Sequence, residues 1–221
     1  TFDNGTAVDT VGNNDGAIHG SVNASSPNTT YTKLGKAMSF DGTAGSYVDT
    51  TGLDPNLNIT GDVTVAAWIN PTSLSGDPAI ARWGLNAPYG IRIVGGQIQF
   101  VLHTGAGWTN PTSGASPIPV QANGEWQHLA VTRSGTMYSF YYNGKLIDTK
   151  TQLRAPTSAP AGSKFEIGSA SNGTIQLFKG LIDDVRVYNG ALSPGEIGSI
   201  YASAQGIAAV PGVYDPLTDY Q

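Results

Sequence analysis

The stretch GLIDDVRVYNGALSPGEI, residues 180–197, combines the end of a strand with the start of a helix. Its first half alternates as a β-strand does, which predicts Leu181, Val185 and Val187 on one face. The opposite face is then expected to carry Ile182, Asp184, Arg186 and Tyr188. Two adjacent carboxylates, Asp183 and Asp184, interrupt this apolar strand, and burying them is costly unless they are paired or bound to a metal.

The second half of the stretch predicts a short helix. Ser193 suits the N-cap, Pro194 the first helical position, and Glu196 completes a capping box three residues after the cap. Ile197, Ile200 and Tyr201 are expected on one side of this helix.

Composition narrows the class of protein. The chain has 221 residues, 39% of them hydrophobic, which is enough for one globular core. Its net charge is −5 with no basic cluster, which argues against nucleic acid as a partner. The absence of cysteine excludes disulfides and thiolate metal sites. A secreted domain of this kind would therefore need another stabilising link, such as a bound calcium ion. No apolar stretch approaches the length of a membrane helix, so no membrane insertion is expected.

The rest of the chain reads as short strands separated by turns. About a dozen such strands, with turns every 8–12 residues or so, predict an all-β sandwich or barrel. We expect one domain over residues 1–205, followed by an extended tail or linker at 206–221 whose prolines restrict it to a sheet edge. A long polar loop, residues 103–119, is expected to be functional or flexible.

Aromatic and polar side chains on one strand pair and on this loop predict a ligand-binding edge. They are Trp83, Tyr89, Arg92, His103 and Trp108. Burial in the core is the alternative for Trp83, whereas Trp108 lies among small polar residues and is expected to be exposed. Trp68, Trp126 and His128 are assigned to the core.

Several blocks together resemble the laminin G-like jelly rolls of the concanavalin A-like lectin/glucanase superfamily. They occur in family order at residues 35–42, 47–48, 63–69, 126–132, 140–145 and 180–193. The resemblance implies a two-sheet antiparallel jelly-roll sandwich with one short C-terminal helix. It says little about function, because this fold carries lectins, adhesins and glycosidases alike.

The resemblance also implies calcium, which in relatives ties the N-terminal segment to the closing strand. Asp3 and Asp183 are the best candidate ligands, and Asp41 and Asn13 are weaker ones. Calcium takes 6–8 oxygen ligands, so carbonyls and water would complete the shell. The alternative is that Asp183 caps backbone amides or pairs with Arg186, and that Asp184 faces solvent.

Hydrolases of this superfamily carry a Glu-x-Asp-x-(x)-Glu pattern on one strand, and the three glutamates here, Glu125, Glu166 and Glu196, do not form it. We therefore expect a non-catalytic, calcium-stabilised module that binds a glycan or glycoprotein or serves adhesion, and that is secreted or held at the cell surface. The alternative is a structural subunit of a surface layer, adhesin stalk or filament that self-assembles through residues 206–221.

Overall fold

The fold was determined as a computed structural model, which describes residues 2–27, 31, 34–50, 55–84, 88–114 and 120–205. The expected all-β sandwich with one short C-terminal helix is confirmed. Within these residues no helix is long and apolar enough to cross a membrane. The predicted tail, residues 206–221, lies outside the described residues, and so does the assembly role assigned to it.

Two large antiparallel sheets form the sandwich. The strands are β1 Gly16–His19, β2 Asn23–Pro27, β3 Lys36–Asp41, β4 Tyr47–Thr50, β5 Val63–Ser73, β6 Ala79–Trp83, β7 Gly90–Val94, β8 Gln97–Phe100, β9 His103–Thr104, β10 Gly107–Trp108, β11 Gln127–Ser134, β12 Met137–Tyr142, β13 Lys145–Thr151, β14 Phe165–Ile167 and β15 Lys179–Tyr188. Sheet A has the order β1-β4-β14-β6-β7-β8, and sheet B the order β13-β12-β11-β5-β15-β3-β2. A two-stranded hairpin, β9–β10, lies apart from both.

The main core lies between the two sheets. Strand β5 shows how the sequence produces it, because Val65, Ala67 and Ile69 alternate into the sandwich as predicted and are fully buried. Trp68 points to the other face of sheet B and is buried as well. Both faces of this central strand are therefore covered.

The helix α1, Pro194–Ala204, covers the outer face of sheet B. Its predicted capping box is confirmed: the Ser193 hydroxyl accepts from the Glu196 amide, and the Ser193 amide donates to the Glu196 carboxylate. Ile197 and Ile200 are buried, and the Tyr201 ring stacks on Trp68 with centroids 5.3 Å apart. The capping box therefore fixes the start of α1 where the apolar side of the helix packs against sheet B.

Strand β15 departs from the predicted alternation. Two residues, Asp184 and Val185, occupy the space of one residue on β5, and Asp184 adopts a left-handed φ of 46°. Because of this bulge, the side chains that follow it lie on the opposite face of sheet B from the one that simple alternation predicts. The prediction that Leu181 shares a face with Val185 is therefore wrong: Ile182 packs in the main core with Val185, whereas Leu181 packs under the helix.

His128 lies on the outer face of sheet B, opposite Trp68 on the neighbouring strand. Its predicted core position is confirmed, since only 1% of the residue is exposed. Its Nδ1, however, has no hydrogen-bond partner among the described residues. Burial lowers the pKa of this imidazole to about 4, with a smaller opposing effect from Asp184.

This pKa makes stability depend on pH. The unfolded chain takes up a proton at His128 below about pH 6.5, whereas the folded chain does so only near pH 4. The free energy of unfolding therefore decreases as the pH falls from about 6.5 to about 4. Between pH 6.5 and 5 we expect the wild type to lose about 1.5 kcal/mol more unfolding free energy than His128→Gln. Denaturant titrations at both pH values measure this, with His103→Gln as control. Parallel losses in wild type and His128→Gln would contradict it.

Candidate functional site

The outer face of sheet A carries a row of charged side chains. Asp49 on β4 lies opposite Glu166 on β14, and Glu166 lies opposite Arg82 on β6. Directly opposed residues in adjacent strands project on the same side, so these three groups face away from the main core together. Each of the three residues is less than 5% exposed. We call Asp49, Glu166 and Arg82 the polar row.

Asp49 is neutralised at one end of the row. Its carboxylate accepts from Lys164 Nζ at 2.7 Å, and His19 Nε2 lies 3.1 Å from its other oxygen. The hydrogen bond to Asp49 is the main cause of a raised pKa at Lys164. The His19 ring also stacks on Tyr47, with centroids 4.3 Å apart. Because Asp49 is buried and bound by these partners, its role on the outer face of sheet A is structural.

Glu166 is satisfied by the loop that follows its own strand. One carboxylate oxygen accepts from the Ser169 hydroxyl, and the other accepts from the Asn172 amide, both at 2.9 Å. This loop therefore folds back over the middle of the row. From the same loop, the Gln176 side chain reaches Arg82.

Arg82 is held by neutral acceptors. Its Nε donates to the Trp83 carbonyl at 2.9 Å, and its Nη1 donates to Gln176 Oε1 at 2.8 Å. Burial first, and then repulsion by Arg92, lower its pKa to about 10 against a smaller opposing effect of Glu166. The side chain passes over Gly90 on β7, where a Cβ atom would come within 2.2 Å of the Arg82 Cβ. Only glycine leaves room for it there.

Trp108 lies over this arginine. The guanidinium carbon is 5.1 Å from the centre of the indole ring, which is cation–π distance. His103 contacts Trp108 edge-to-face, with centroids 5.1 Å apart, and its Nδ1 lies 3.1 Å from the Thr157 hydroxyl. Trp108 nevertheless remains 47% exposed. A rigidly supported, half-exposed indole beside polar groups can stack on a ligand.

The loop that carries Trp108 is ordered along β8. The Phe100 amide donates to the Pro111 carbonyl at 2.8 Å, and the Leu102 amide donates to the Asn110 side chain at 3.0 Å. These bonds fix the start of the predicted long loop, whose residues 115–119 lie outside the described residues.

The ligand-binding prediction is corrected at two positions. Trp83 and Tyr89 are fully buried, and their rings meet edge-to-face in the main core. Trp83 is next to Arg82 along the chain, and Tyr89 is next to Gly90. Because neighbouring positions alternate between faces, the two aromatic side chains point into the core and Arg82 and Gly90 face outward. Arg92, His103 and Trp108 do lie on the outer side. Arg82 was not predicted, although an arginine in an otherwise apolar strand, AIARW, is the signal that marks it.

Asp3 and Asp183, the best metal candidates, line one cavity of about 520 Å³ between the N-terminal segment and β15. Asp183 is 1% exposed, and its Oδ1 accepts from the Asp184 amide at 2.7 Å. Its Oδ2 is buried without a partner among the described residues. Burial above all raises the pKa of this carboxyl to about 8. Arg186 pairs with Asp184 at 2.8 Å, not with Asp183.

The weaker metal candidates lie elsewhere. Asp41 is opposite Lys179, four positions along β15 from Asp183, which is about 13 Å at 3.3 Å per residue. Its carboxylate accepts from the Thr43 amide and hydroxyl, which lower its pKa to about 2. Asn13 is exposed and does not line the cavity, in contrast to Asn14. The structure therefore brings neither Asp41 nor Asn13 to Asp183.

The carboxylates alone do not form a metal cluster. No group of three or more His, Cys, Asp or Glu side chains suited to a metal occurs in the part of the chain that the structure describes. An ion at Asp183 would therefore depend largely on carbonyl and water oxygens, which calcium accepts readily. The unpartnered Oδ2 of Asp183 fits such an ion.

The two-sheet sandwich with a polar outer face is the architecture of a lectin-like domain. The chain belongs to the concanavalin A-like lectin/glucanase superfamily, within its laminin G-like group: residues 41–198 match that family. A comparison with curated protein sequences gave no match.

Solved structures share the fold. Domain 4 of AbnA, an extracellular arabinanase from Geobacillus stearothermophilus solved with arabinotriose, has a TM-score of 0.70 at 24% identity and covers 91% of this chain and 95% of its own. The binding domain of Paraclostridial Mosquitocidal Protein 1 has a TM-score of 0.65 at 15% identity, over 92% of this chain and 53% of that one. A SAP-like pentraxin from Limulus polyphemus has a TM-score of 0.57 at 18% identity, over 74% and 80%. These identities establish the fold alone.

The contact between Gly90 and Arg82 can be tested directly. Gly90→Ala should lower the unfolding free energy by about 1–3 kcal/mol, because the added methyl overpacks against the Cβ and Cα atoms of Arg82 and the Ala81 carbonyl. Gly61→Ala is the matched control, since a Cβ at Gly61 meets no atom within 4 Å. Denaturant midpoints of the two variants give the comparison. Equal midpoints would show that strands β6 and β7 adjust to the added methyl without cost.

Proposed function

We propose that this protein is a non-catalytic carbohydrate-binding module that acts outside the cell, and that it contacts its ligand on the outer face of sheet A at Trp108. One observation carries the proposal: Arg82 and His103 support the Trp108 ring while almost half of that residue stays exposed. Sugars present flat C–H surfaces that stack on such rings, and nearby polar groups of the protein form hydrogen bonds with the sugar hydroxyls.

The relatives support this reading without deciding it. The domain of the arabinanase was solved with arabinotriose, and other similar structures are binding domains, among them those of Paraclostridial Mosquitocidal Protein 1 and botulinum neurotoxin serotype G. Arabino-oligosaccharides are therefore a suitable first probe. The arabinanase is an extracellular enzyme, which supports a location outside the cell.

A catalytic role is disfavoured by the state of the two carboxylates on this face. Glycoside hydrolysis needs two carboxyl groups that flank the scissile bond. Asp49 and Glu166 are each 1% exposed, and both are engaged by side chains or backbone of the protein itself. A sugar stacked on the exposed ring of Trp108 would lie at the Arg82 end of the polar row.

Removing the aromatic platform tests the proposal. Trp108→Ala should weaken binding of the best arabino-oligosaccharide or glycan-array ligand by more than about tenfold, since an exposed aromatic anchor contributes over ~1.4 kcal/mol. Met137→Ala is the control, because Met137 is 50% exposed and lies on β12 in sheet B, away from the polar row of sheet A. Isothermal titration calorimetry measures both. Unchanged affinity in Trp108→Ala would remove the site from consideration.

We also propose that calcium stabilises the domain at Asp183. The Asp183 and Asp3 side chains would hold the ion together with carbonyls and water. The ion would neutralise a carboxylate whose burial is otherwise costly. It would also link the N-terminal segment to the closing strand, and calcium is abundant where extracellular modules work.

Calcium at about 100 times its dissociation constant should raise the unfolding free energy by about 2.7 kcal/mol and the thermal midpoint accordingly. Asp183→Asn should abolish this rise, because the amide cannot supply the charge. Asp41→Asn should retain it, since Asp41 is opposite Lys179 at the other end of the strand pair. Calorimetry with and without a chelator is the measurement, and a calcium-dependent rise that survives in Asp183→Asn would place the ion elsewhere.

A further inference from the structure

Two arginines lie close together on the outer face of sheet A. Arg82 is opposite Gly90, and Arg92 is two positions further along the same strand, so the two side chains project on one side as diagonal neighbours. At such positions Cα atoms are about 7–8 Å apart, within reach of long side chains. Burial is the main cause of the lowered pKa of Arg82, and repulsion by Arg92 adds to it.

Neither arginine is neutralised by an ion pair within the described residues. Arg82 donates to a carbonyl and to the Gln176 amide, and Arg92 Nε donates to Gln99 Oε1 at 2.6 Å. Three other cations pair with carboxylates, namely Lys150, Lys164 and Arg186, whereas Arg133 also donates to carbonyls. What distinguishes Arg82 and Arg92 is that the two unpaired guanidinium groups lie side by side, in a chain whose net charge is −5.

No acid among the described residues forms an ion pair with either arginine. Burial lowers the pKa of Arg92, and Asp77 opposes this effect only from beyond ion-pair distance. Glu166 lies opposite Arg82, but its two oxygens accept from Ser169 and Asn172. Its attraction ranks below the repulsion by Arg92 in setting the pKa of Arg82. The positive charge on this part of the face therefore remains available to a ligand.

Arg92 is the more accessible of the two. It is partly exposed, whereas Arg82 lies beneath Trp108 and is 4% exposed. Gln99 holds the Arg92 side chain and in turn donates to the Thr112 hydroxyl at 2.7 Å. Arg92 is thus oriented by a short amide network on the same face as the exposed indole.

We infer that the ligand is an acidic glycan, in which a sugar stacks on Trp108 and an anionic group of the chain is bound by Arg92, with Arg82 as a positioning residue beneath the indole. This inference rests on the proposed carbohydrate binding at Trp108. A guanidinium fork matches carboxylates and other oxyanions in a charge-assisted, often bidentate contact. The same chemistry is offered by uronic acids and by sulfated sugars, so both serve as probes.

The test compares three oligosaccharides of equal length by calorimetry: oligogalacturonate, a sulfated galactan fragment and neutral arabinan. The wild type should bind at least one acidic probe about tenfold or more tightly than the neutral one. Arg92→Gln should remove that preference, so that the acidic probe is bound no more tightly than the neutral one. Lys150→Gln is the control, because it removes the same charge from β13, in sheet B, and should leave the preference intact.

The outcomes separate this inference from the proposal on which it rests. Equal affinity for acidic and neutral probes, with no effect of Arg92→Gln, would overturn the acidic-glycan inference while a loss in Trp108→Ala still supported carbohydrate binding. Binding of no probe at all would overturn both. Tighter binding of the uronate than of the sulfated probe assigns the anionic group to a carboxylate, and the reverse order assigns it to a sulfate.

Discussion

The pairing of β15 with β5 is the interaction on which the rest of the sandwich depends. It places Ile182 against the main core, and it also places two acidic residues beside the fully buried Trp68. The bulge at Asp184 separates the two carboxylates: Asp184 turns to Arg186, and Asp183 stays buried toward the N-terminal segment. Because an uncompensated buried charge costs several kcal/mol, the strand can occupy this place only while Asp183 is protonated or neutralised from outside the strand.

The two outer faces of the sandwich satisfy their polar groups in different ways. Sheet B is covered by α1, whose Tyr201 stacks on Trp68 and excludes water from His128. Sheet A has no helix over it in the described chain and instead carries the polar row, where Asp49 meets Lys164 and Glu166 meets its own loop. A face built from charged and amide groups stays compatible with a hydrated ligand, whereas the helix-covered face does not. This difference is why the functional surface is sought on sheet A.

Sequence patterns predicted what is locally encoded. The alternation of β5, the capping box at Ser193 and the exposure of Trp108 follow from neighbouring residues and agree with the structure. The bulge in β15 could not be predicted, since one extra residue reverses every later side chain and no turn residue marks it. The sequence left open whether Trp83 points into the core, because the five residues of β6 include a register shift that obscures the alternation. The missing information was the pairing of strands far apart in sequence.

The proposed calcium site and the proposed ligand face are joined by the N-terminal segment. Asp3 accepts from the Lys36 amide at the start of β3 in sheet B, and Ala7 bridges to Gly16 at the start of β1 in sheet A. Strand β1 then pairs with β4, which sets His19 against Asp49 at the end of the polar row. An ion bound between Asp3 and Asp183 would therefore fix the segment that closes both sheets. Stability at β15 and the geometry of the sheet A face are linked through this one piece of chain, although Trp108 and Arg92 lie at the opposite end of the sheet.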